Sequence, residues 1–162
     1  MAERRLPAFR NLLANQIAST ADALRRSAAM RMKREHDMSL AQVRALALID
    51  HLQPVRLRDV AADAGADKAQ ISRVVSSLVS RGLVSRRALA GDARSAHLEL
   101  TTEGRDKFAA VSRTLEERDR VVREALTPSD FDRLVATLAQ VRQAADQLSL
   151  EEERLASDKP AR

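Results

Sequence analysis

Apolar residues recur at three- and four-residue intervals along most of the chain, which is the spacing that places them on one face of an α-helix. Glycine, proline and helix-capping residues interrupt this pattern at several points. One stretch of the chain shows a different pattern, in which apolar and polar residues partly alternate. The pattern predicts a mainly helical protein with one β-hairpin. We place the helical segments at residues 6–34, 39–52, 57–64, 67–81, 102–125 and 128–156.

The segment at residues 67–81 is predicted to be a short helix with one apolar and one polar face. Asp67 can cap its N-terminus, and Gly82 stands where a left-handed C-cap is expected. Small residues let a helix backbone approach another surface closely, and Arg, Lys and Gln side chains carry the donors that read base edges in a major groove. The polar face consists of such residues. They are Lys68, Gln70, Ser72, Arg73, Ser76, Ser77 and Arg81.

Positive charge is concentrated in the same part of the chain. From Lys68 to His97 there are six Lys or Arg residues and one acidic residue, an excess of five that equals the formal net charge of +5 for the whole chain. A solvated amphipathic helix with an incidental run of charge would give the same pattern. We favour nucleic-acid binding, because cationic surfaces attract polyanions.

A β-hairpin is predicted after this helix, with strands at residues 85–89 and 96–100. The connecting residues 90–95 are rich in turn formers and carry Asp92 and Arg94. An arginine at a hairpin tip suits the narrow, electronegative minor groove of DNA, and the nearby aspartate could hold it extended. The alternative is an ordinary exposed hairpin whose charges serve solubility.

Residues 39–104 resemble the winged helix-turn-helix of the MarR family of bacterial transcription regulators. Ala93 departs from the pattern, because the family often carries a second arginine beside the wing aspartate. The stretches that match are Asp67-Lys68, Ile71-Ser72-Arg73, Leu78 to Val84, Gly91 to Arg94, and Leu98 to Gly104.

The resemblance implies that residues 68–81 form a recognition helix in the major groove and residues 85–100 form a wing. We expect side chains early in the helix to face bases or nearby phosphates, and three arginines, at 81, 86 and 87, to contact the DNA backbone. The predicted DNA-binding residues are Lys68, Gln70, Ser72, Arg73, Ser77, Arg81, Arg86, Arg87, Asp92 and Arg94.

The first and last helical segments are longer than a small winged domain needs. Apolar residues of the last segment are spaced as in a heptad repeat, which allows one helix to pack along another. The partner helix could belong to the same chain, but we favour a second copy, and the resemblance implies a homodimer joined by its terminal helices. The predicted dimerisation residues are Leu6, Phe9, Leu13, Phe131, Leu134, Leu138, Val141 and Leu148.

Composition narrows the classes of function. The chain has no cysteine, which removes disulfides, thiolate redox chemistry and the usual structural zinc ligands. Aromatic residues make up only 2% of the 162 residues, which disfavours stacking on single-stranded bases. We find no catalytic or metal-binding spacing among the three histidines. We expect no enzyme activity, no cofactor, no membrane segment and a cytoplasmic location.

A small-molecule effector is a further implication of the resemblance, since MarR-like proteins often bind anionic or phenolic molecules between the dimerisation helices and the DNA-binding lobe. Each candidate also has an ordinary structural interpretation, such as a core-edge histidine, a gap-filling methionine or a solvated arginine. The candidates in this chain are Arg10, Asn15, Ser19, Met38 and His51.

The sequence therefore predicts a mainly α protein with a small β-hairpin wing, a winged helix-turn-helix with N- and C-terminal dimerisation helices. The favoured function is a homodimeric, ligand-responsive repressor that binds a pseudo-palindromic operator. The alternatives are an architectural DNA-binding protein without sequence preference and a helical protein-interaction scaffold. The predicted divisions are a dimerisation helix at 1–36, the DNA-binding lobe at 37–101, dimerisation helices at 102–156 and a disordered tail at 157–162.

Overall fold

The computed structural model describes residues 11–65, 67–89 and 92–157, and only the backbone is described at residues 88, 89 and 92–96. Within these residues the predicted fold class is confirmed: the chain is mainly helical and has one small antiparallel sheet. No helix in this part of the chain has both the length and the apolar character needed to cross a membrane. The elements are α1 (Leu13–His36), α2 (Leu40–Leu52), β1 (Val55–Arg56), α3 (Leu57–Ala64), α4 (Lys68–Ser80), β2 (Val84–Leu89), β3 (Asp92–Leu100), α5 (Thr102–Glu124) and α6 (Pro128–Ser157).

The chain divides into two compact units, with the boundary between Glu116 and Glu117 inside α5. The first unit holds the hydrophobic core, to which α1 to α5 and the sheet all contribute. Its fully buried side chains include those of Met32, Met38, Leu46, Ile49, Val75, Leu78, Leu98 and Val111. The second unit contains the end of α5 and the whole of α6, a helix with no buried residue. Ser157, predicted to belong to the tail, is the last residue of α6, and the rest of the predicted tail lies outside the described residues.

Capping residues set the helix boundaries that the sequence predicted. The Ser39 hydroxyl accepts the backbone N–H of Gln42 at 3.2 Å, and the Gln42 side-chain oxygen accepts the N–H of Ser39 at 2.8 Å, which completes a capping box. Thr127 caps α6 in a similar way, since its hydroxyl accepts the N–H of Asp130. Gly82 adopts a left-handed φ of 71° after α4, a conformation that glycine reaches without strain.

The sheet has three strands in the order β1-β3-β2, whereas the sequence predicted only the two strands of a hairpin. β1 pairs with β3 through Val55 opposite Leu98 and Arg56 opposite His97. A strand of two residues that runs directly into α3 is too short to show any alternation of apolar and polar positions.

The start of α5 packs tightly against the start of β2. The Thr101 hydroxyl accepts the N–H of Gly104 at 2.9 Å and donates to the carbonyl oxygen of Gly82 at 2.7 Å. Gly104 is buried, and a Cβ atom at this position would lie 1.9 Å from the backbone oxygen of Leu83. Only glycine therefore allows α5 to approach the chain so closely.

His36 connects α1 to α5 inside the first unit. Its Nε2 lies 2.9 Å from the hydroxyl oxygen of Thr114, a residue with only 7% of its surface exposed. Burial lowers the pKa of His36, and the positive charge of Lys107 lowers it further, while Glu35 acts in the opposite direction. The neutral imidazole is therefore the form that the folded protein favours.

We expect the folded protein to lose stability as the pH falls below the ordinary histidine pKa of about 6.5. The unfolded chain binds a proton at His36 more readily, so the stabilisation is complete above that pH and is lost as the pH falls through the lower pKa of the folded state. Urea denaturation at several pH values would measure this loss. His36→Gln keeps a polar side chain beside Thr114, and its loss of stability at low pH should be smaller than that of the wild type. An unchanged pH dependence would mean that His36 does not cause the loss.

Candidate nucleic-acid interface

The two faces of α4 are clearly separated. Ile71, Val75 and Leu78 are buried and hold the helix against the core. With 100° per residue, the direction opposite to this buried face lies near Arg73. The Asp67 carboxylate accepts the backbone N–H of Gln70 and so caps the N-terminus of α4, as expected. The helix therefore presents Arg73, which is exposed, at the centre of its outer surface.

Three small residues surround Arg73 on this surface and were not among the predicted DNA-binding residues. Ala69, Ser76 and Ser80 are all exposed. They lie four, three and seven residues from Arg73, and these spacings place them on the same side of the helix. The sequence-based selection included Ser72 and Ser77 but passed over these positions. Helical periodicity alone would have found them. We call Ala69, Arg73, Ser76 and Ser80 the outer face of α4.

The other predicted residues of α4 lie around this face. Lys68 is exposed at the first position of the helix, and Ser72 is half-buried at the edge of the core face. Gln70 is exposed and lines a cavity of about 320 Å³ together with Arg44 of α2 and Gly65. It lies on the side of α4 that faces α2.

Ser77 lies on the same side of α4 and has a partner within the protein. The side-chain amide of Gln42 donates a 2.9 Å hydrogen bond to its hydroxyl oxygen, and Ser77 is half-buried. The prediction that Ser77 faces bases is therefore not supported by its position. It links α4 to α2.

Arg81 also binds within the protein. Its Nη1 donates a 2.8 Å hydrogen bond to the backbone oxygen of Asp37, which ends α1 in a left-handed conformation, and its Nη2 lies 3.9 Å from the Asp37 carboxylate. Lys33 donates to the same carboxylate and holds the pKa of Asp37 below its usual range. Arg81 was predicted to contact the DNA backbone, but here it ties the end of α4 to the α1–α2 junction.

Arg81→Ala should therefore lower the free energy of unfolding by about 1–2 kcal/mol, since it removes a charged donor from a backbone carbonyl. Chemical denaturation would measure the change. Arg113→Ala, which removes an exposed arginine of α5, is the control and should change stability by less than about 0.5 kcal/mol. Unchanged stability of Arg81→Ala would mean that Arg81 is available for other partners.

Arg86 and Arg87 project from opposite faces of the sheet. Arg86 shares the face of Val55 and Leu98, which are buried, and its Nη2 donates to the hydroxyl of Ser76 at 3.3 Å. Arg87 is exposed and lies opposite His97 on the other face. The two arginines, predicted to act alike, therefore serve different surfaces. Only Arg86 joins the outer face of α4.

The wing extends beyond these arginines as the hairpin of β2 and β3, with an irregularity in register between Ala88 and Leu89. The side chains of Asp92 and Arg94, which the sequence predicts at the tip, lie outside the described residues. Their role stays a prediction.

The candidate effector residues do not form one site within a single chain. Asn15 is half-buried and Ser19 exposed in the first half of α1, while Met38 lies beyond its other end, roughly 30–35 Å away along the helix axis. Met38 is a fully buried core residue and His51 is exposed. Arg10 lies outside the described residues.

The predicted dimerisation residues of α6 are exposed or half-buried in the single chain. Leu134, Leu138 and Leu148 expose 43%, 45% and 64% of their surfaces. Val141 is half-buried, as is Phe131, whose ring lies 4.1 Å from the Arg123 guanidinium. In α1, Leu13 exposes 62% of its surface, while Leu6 and Phe9 lie outside the described residues.

Comparisons with known proteins agree with this architecture. Residues 38–96 match the family model of the MarR family. The HTH-type transcriptional regulator PetP of Rhodobacter capsulatus is 31% identical over 110 residues, which cover 68% of this chain and 64% of PetP. The chain therefore matches somewhat less than two thirds of that relative's length.

Two solved structures share the fold at low sequence identity. MepR of S. aureus in complex with DNA superposes with a TM-score of 0.72 at 16% identity, over 82% of this chain and 97% of MepR. FabT of Streptococcus pneumoniae in complex with DNA gives a TM-score of 0.73 at 15% identity, over 83% of this chain and 96% of FabT. Residues 38–96 therefore match the MarR family model, and the chain shares its fold with MepR and FabT.

Proposed function

We propose that this protein is a homodimeric transcription regulator that binds double-stranded DNA through the outer face of α4. The observation that carries the proposal is the composition of this face. It places one exposed arginine among alanine and serine residues, so that the helix backbone can come close to base edges while Arg73 donates to them. A regulator of this kind acts on chromosomal DNA in the cytoplasm and needs no catalytic group.

The surroundings of α4 support the same interpretation. Arg86 extends from the sheet to Ser76 and adds a second cation beside the outer face. MepR and FabT, which share the fold, were both solved in complex with DNA. In a two-fold symmetric dimer, two copies of α4 would enter major grooves about one helical turn apart, which requires a pseudo-palindromic operator.

Selection of bound duplexes from a random-sequence pool, followed by competition with mixed-sequence DNA, tests the proposal. A regulator should prefer its selected site by roughly a thousandfold or more. Salt-dependent binding without such a preference would favour the architectural alternative. Absence of salt-dependent DNA binding would favour the protein-interaction scaffold.

The homodimer is proposed from the apolar surface of the terminal helices. Leu134, Leu138 and Leu148 recur along one side of α6 and are left exposed in the single chain. Large exposed apolar patches of this kind are typical of protein interfaces. A second copy of the chain would bury them by helix-to-helix packing.

Leu138→Arg should shift the protein from dimer to monomer, because it places an unpaired charge in the proposed interface. We expect the dimer dissociation constant, measured by sedimentation equilibrium, to rise by roughly a hundredfold, corresponding to about 3 kcal/mol. Gln140→Arg adds the same charge on the opposite side of α6 and should leave the dimer intact. Equal behaviour of the two variants would contradict the proposed interface.

Repression relieved by a small anionic or phenolic effector is the most specific part of the proposal. A groove of about 760 Å³ lies beside α1, α2 and α4, and its lining includes Met38, Gln42, Ser77 and Arg81. A molecule bound there would change the hydrogen bonds that position α4. If it binds more tightly when α4 is placed unfavourably for DNA, it lowers the affinity for DNA by that difference in binding free energy. Thermal-shift screening of small aromatic acids, followed by release from DNA, would test this step.

A further inference from the structure

The junction between α1 and α2, residues 37–39, is held firmly in the first unit. Asp37 ends α1 in a left-handed conformation, and its backbone N–H donates to a carbonyl oxygen of the last turn of α1. Met38 is fully buried in the core. Ser39 begins α2 through the capping box that it forms with Gln42. Because the backbone is fixed on both sides of the buried methionine, the junction can anchor other parts of the fold.

Two side-chain hydrogen bonds connect this junction to α4. Nε2 of Gln42 donates to the hydroxyl oxygen of Ser77 at 2.9 Å, and Nη1 of Arg81 donates to the backbone oxygen of Asp37 at 2.8 Å. Ser77 and Arg81 are four residues apart, so they lie on the same side of α4 about one turn from each other. Hydrogen bonds are directional, whereas the apolar contacts of the buried face are not. The two bonds therefore restrict how α4 can rotate against the junction.

Both ends of the Gln42 amide group are used. Its Oε1 accepts the backbone N–H of Ser39 at 2.8 Å, while its Nε2 donates to Ser77. An amide carries one acceptor oxygen and one donor NH₂ group, so the reversed orientation would bring two donors together at Ser39. Only one orientation of the amide therefore satisfies both partners. Through it, one half-buried side chain joins the start of α2 to α4.

We propose that Gln42 is a positioning residue for DNA recognition, which holds α4 at the rotation at which Arg73 meets base edges. The inference rests on the proposed function and deepens it. Arg73 lies one turn from Ser77, and a rotation of α4 by about 20° would move side chains at a radius of about 5–6 Å by about 2 Å. A shift of this size breaks a hydrogen bond to a base. Gln42 acts through Ser77 and was not predicted as a binding residue from the sequence.

The preference for a selected duplex over mixed-sequence DNA tests this role. Gln42→Met keeps an unbranched side chain but removes the amide, and it should weaken binding to the selected duplex by about fivefold, as expected for one lost hydrogen bond. Binding to mixed-sequence DNA depends on phosphate contacts and should not change. Gln42→Glu should restore the preference, because a carboxylate can accept both the N–H of Ser39 and the hydroxyl of Ser77. Fluorescence anisotropy with both duplexes would measure the ratio.

Ser39→Ala is the matched control, since it removes the other half of the capping box and leaves the Gln42 amide bonded to Ser77. It should lower stability in urea denaturation, as the loss of an N-cap does, and keep the preference of the wild type. An equal loss of preference in Ser39→Ala and Gln42→Met would refute the positioning role, because weakening α2 would then be sufficient. The double variant Gln42→Met/Ser77→Ala should match Gln42→Met, since both changes remove the same bond.

Hydrogen exchange of the backbone amides tests the link without DNA. In Gln42→Met, the amides of residues 77–81 should exchange faster than in the wild type, because the end of α4 has lost a tie to the junction. In Ser39→Ala, the exchange of these amides should stay close to that of the wild type. Unchanged exchange in Gln42→Met would show that the amide does not hold α4.

The outcomes separate this inference from the proposed function. If the wild type prefers a selected duplex and Gln42→Met keeps that preference, the positioning role is refuted and the proposed function stands. A further loss in the double variant would mean that Gln42 and Ser77 act separately, which also contradicts the role. If the wild type prefers no duplex, the proposed function fails, and the exchange of the α4 amides alone decides whether Gln42 positions the helix.

Discussion

Arg73→Ala should weaken binding to the selected DNA site by about 1–3 kcal/mol, which corresponds to roughly a 5-fold to 150-fold loss of affinity. Arg73 lies opposite the buried residues of α4, and the other residues of the outer face are small and uncharged, so none of them can replace its guanidinium. Its removal should also reduce the preference for the selected site over mixed-sequence DNA. Fluorescence anisotropy with both duplexes would measure the two effects.

Arg133→Ala is the matched control for this prediction, because it removes an exposed arginine from α6 and changes the net charge by the same amount. Its affinity for both duplexes should stay close to that of the wild type. Unchanged affinity of Arg73→Ala would mean that the outer face of α4 is not the surface that reads DNA.

Gly104→Ala should destabilise the fold by about 3 kcal/mol, although alanine ordinarily stabilises a helix by about 1 kcal/mol relative to glycine. The added Cβ would lie 1.9 Å from the backbone oxygen of Leu83, and a backbone atom cannot move aside as the end of a flexible side chain can. The start of α5 or the start of β2 must shift. Urea denaturation would give the size of the effect.

Asp106→Ala serves as the comparison for Gly104→Ala. It introduces alanine two residues further along α5 at an exposed position, where stability should change by less than about 0.5 kcal/mol. Helix propensity predicts that Gly104→Ala raises the free energy of unfolding, whereas packing predicts that it lowers it. An increase would therefore show that α5 and the start of β2 do not approach as closely as described.

Local signals in the sequence predicted most of the fold. Ser39 and Gln42 form a capping box at the predicted start of α2, Gly82 has the expected left-handed conformation, and Thr101 caps α5. These interactions involve residues within a few positions of one another, so the sequence contains the whole pattern. β1 was missed because two residues carry no periodicity, and its pairing depends on β3, about forty residues later.

The candidate site was only partly predictable, because two of its predicted residues form hydrogen bonds with residues far away in the sequence. Ser77 is bound by Gln42, 35 positions earlier, and Arg81 by Asp37, 44 positions earlier. No local pattern reveals such contacts. The opposite directions of Arg86 and Arg87, by contrast, follow from the alternation of a strand and could have been predicted.

Hydroxyl-radical footprinting on a selected duplex is the most direct test of the central claim that two copies of this chain present α4 to adjacent turns of DNA. We predict two protected regions, related by a dyad and separated by about one helical turn. A single region without symmetry, or uniform protection along the duplex, would contradict this account.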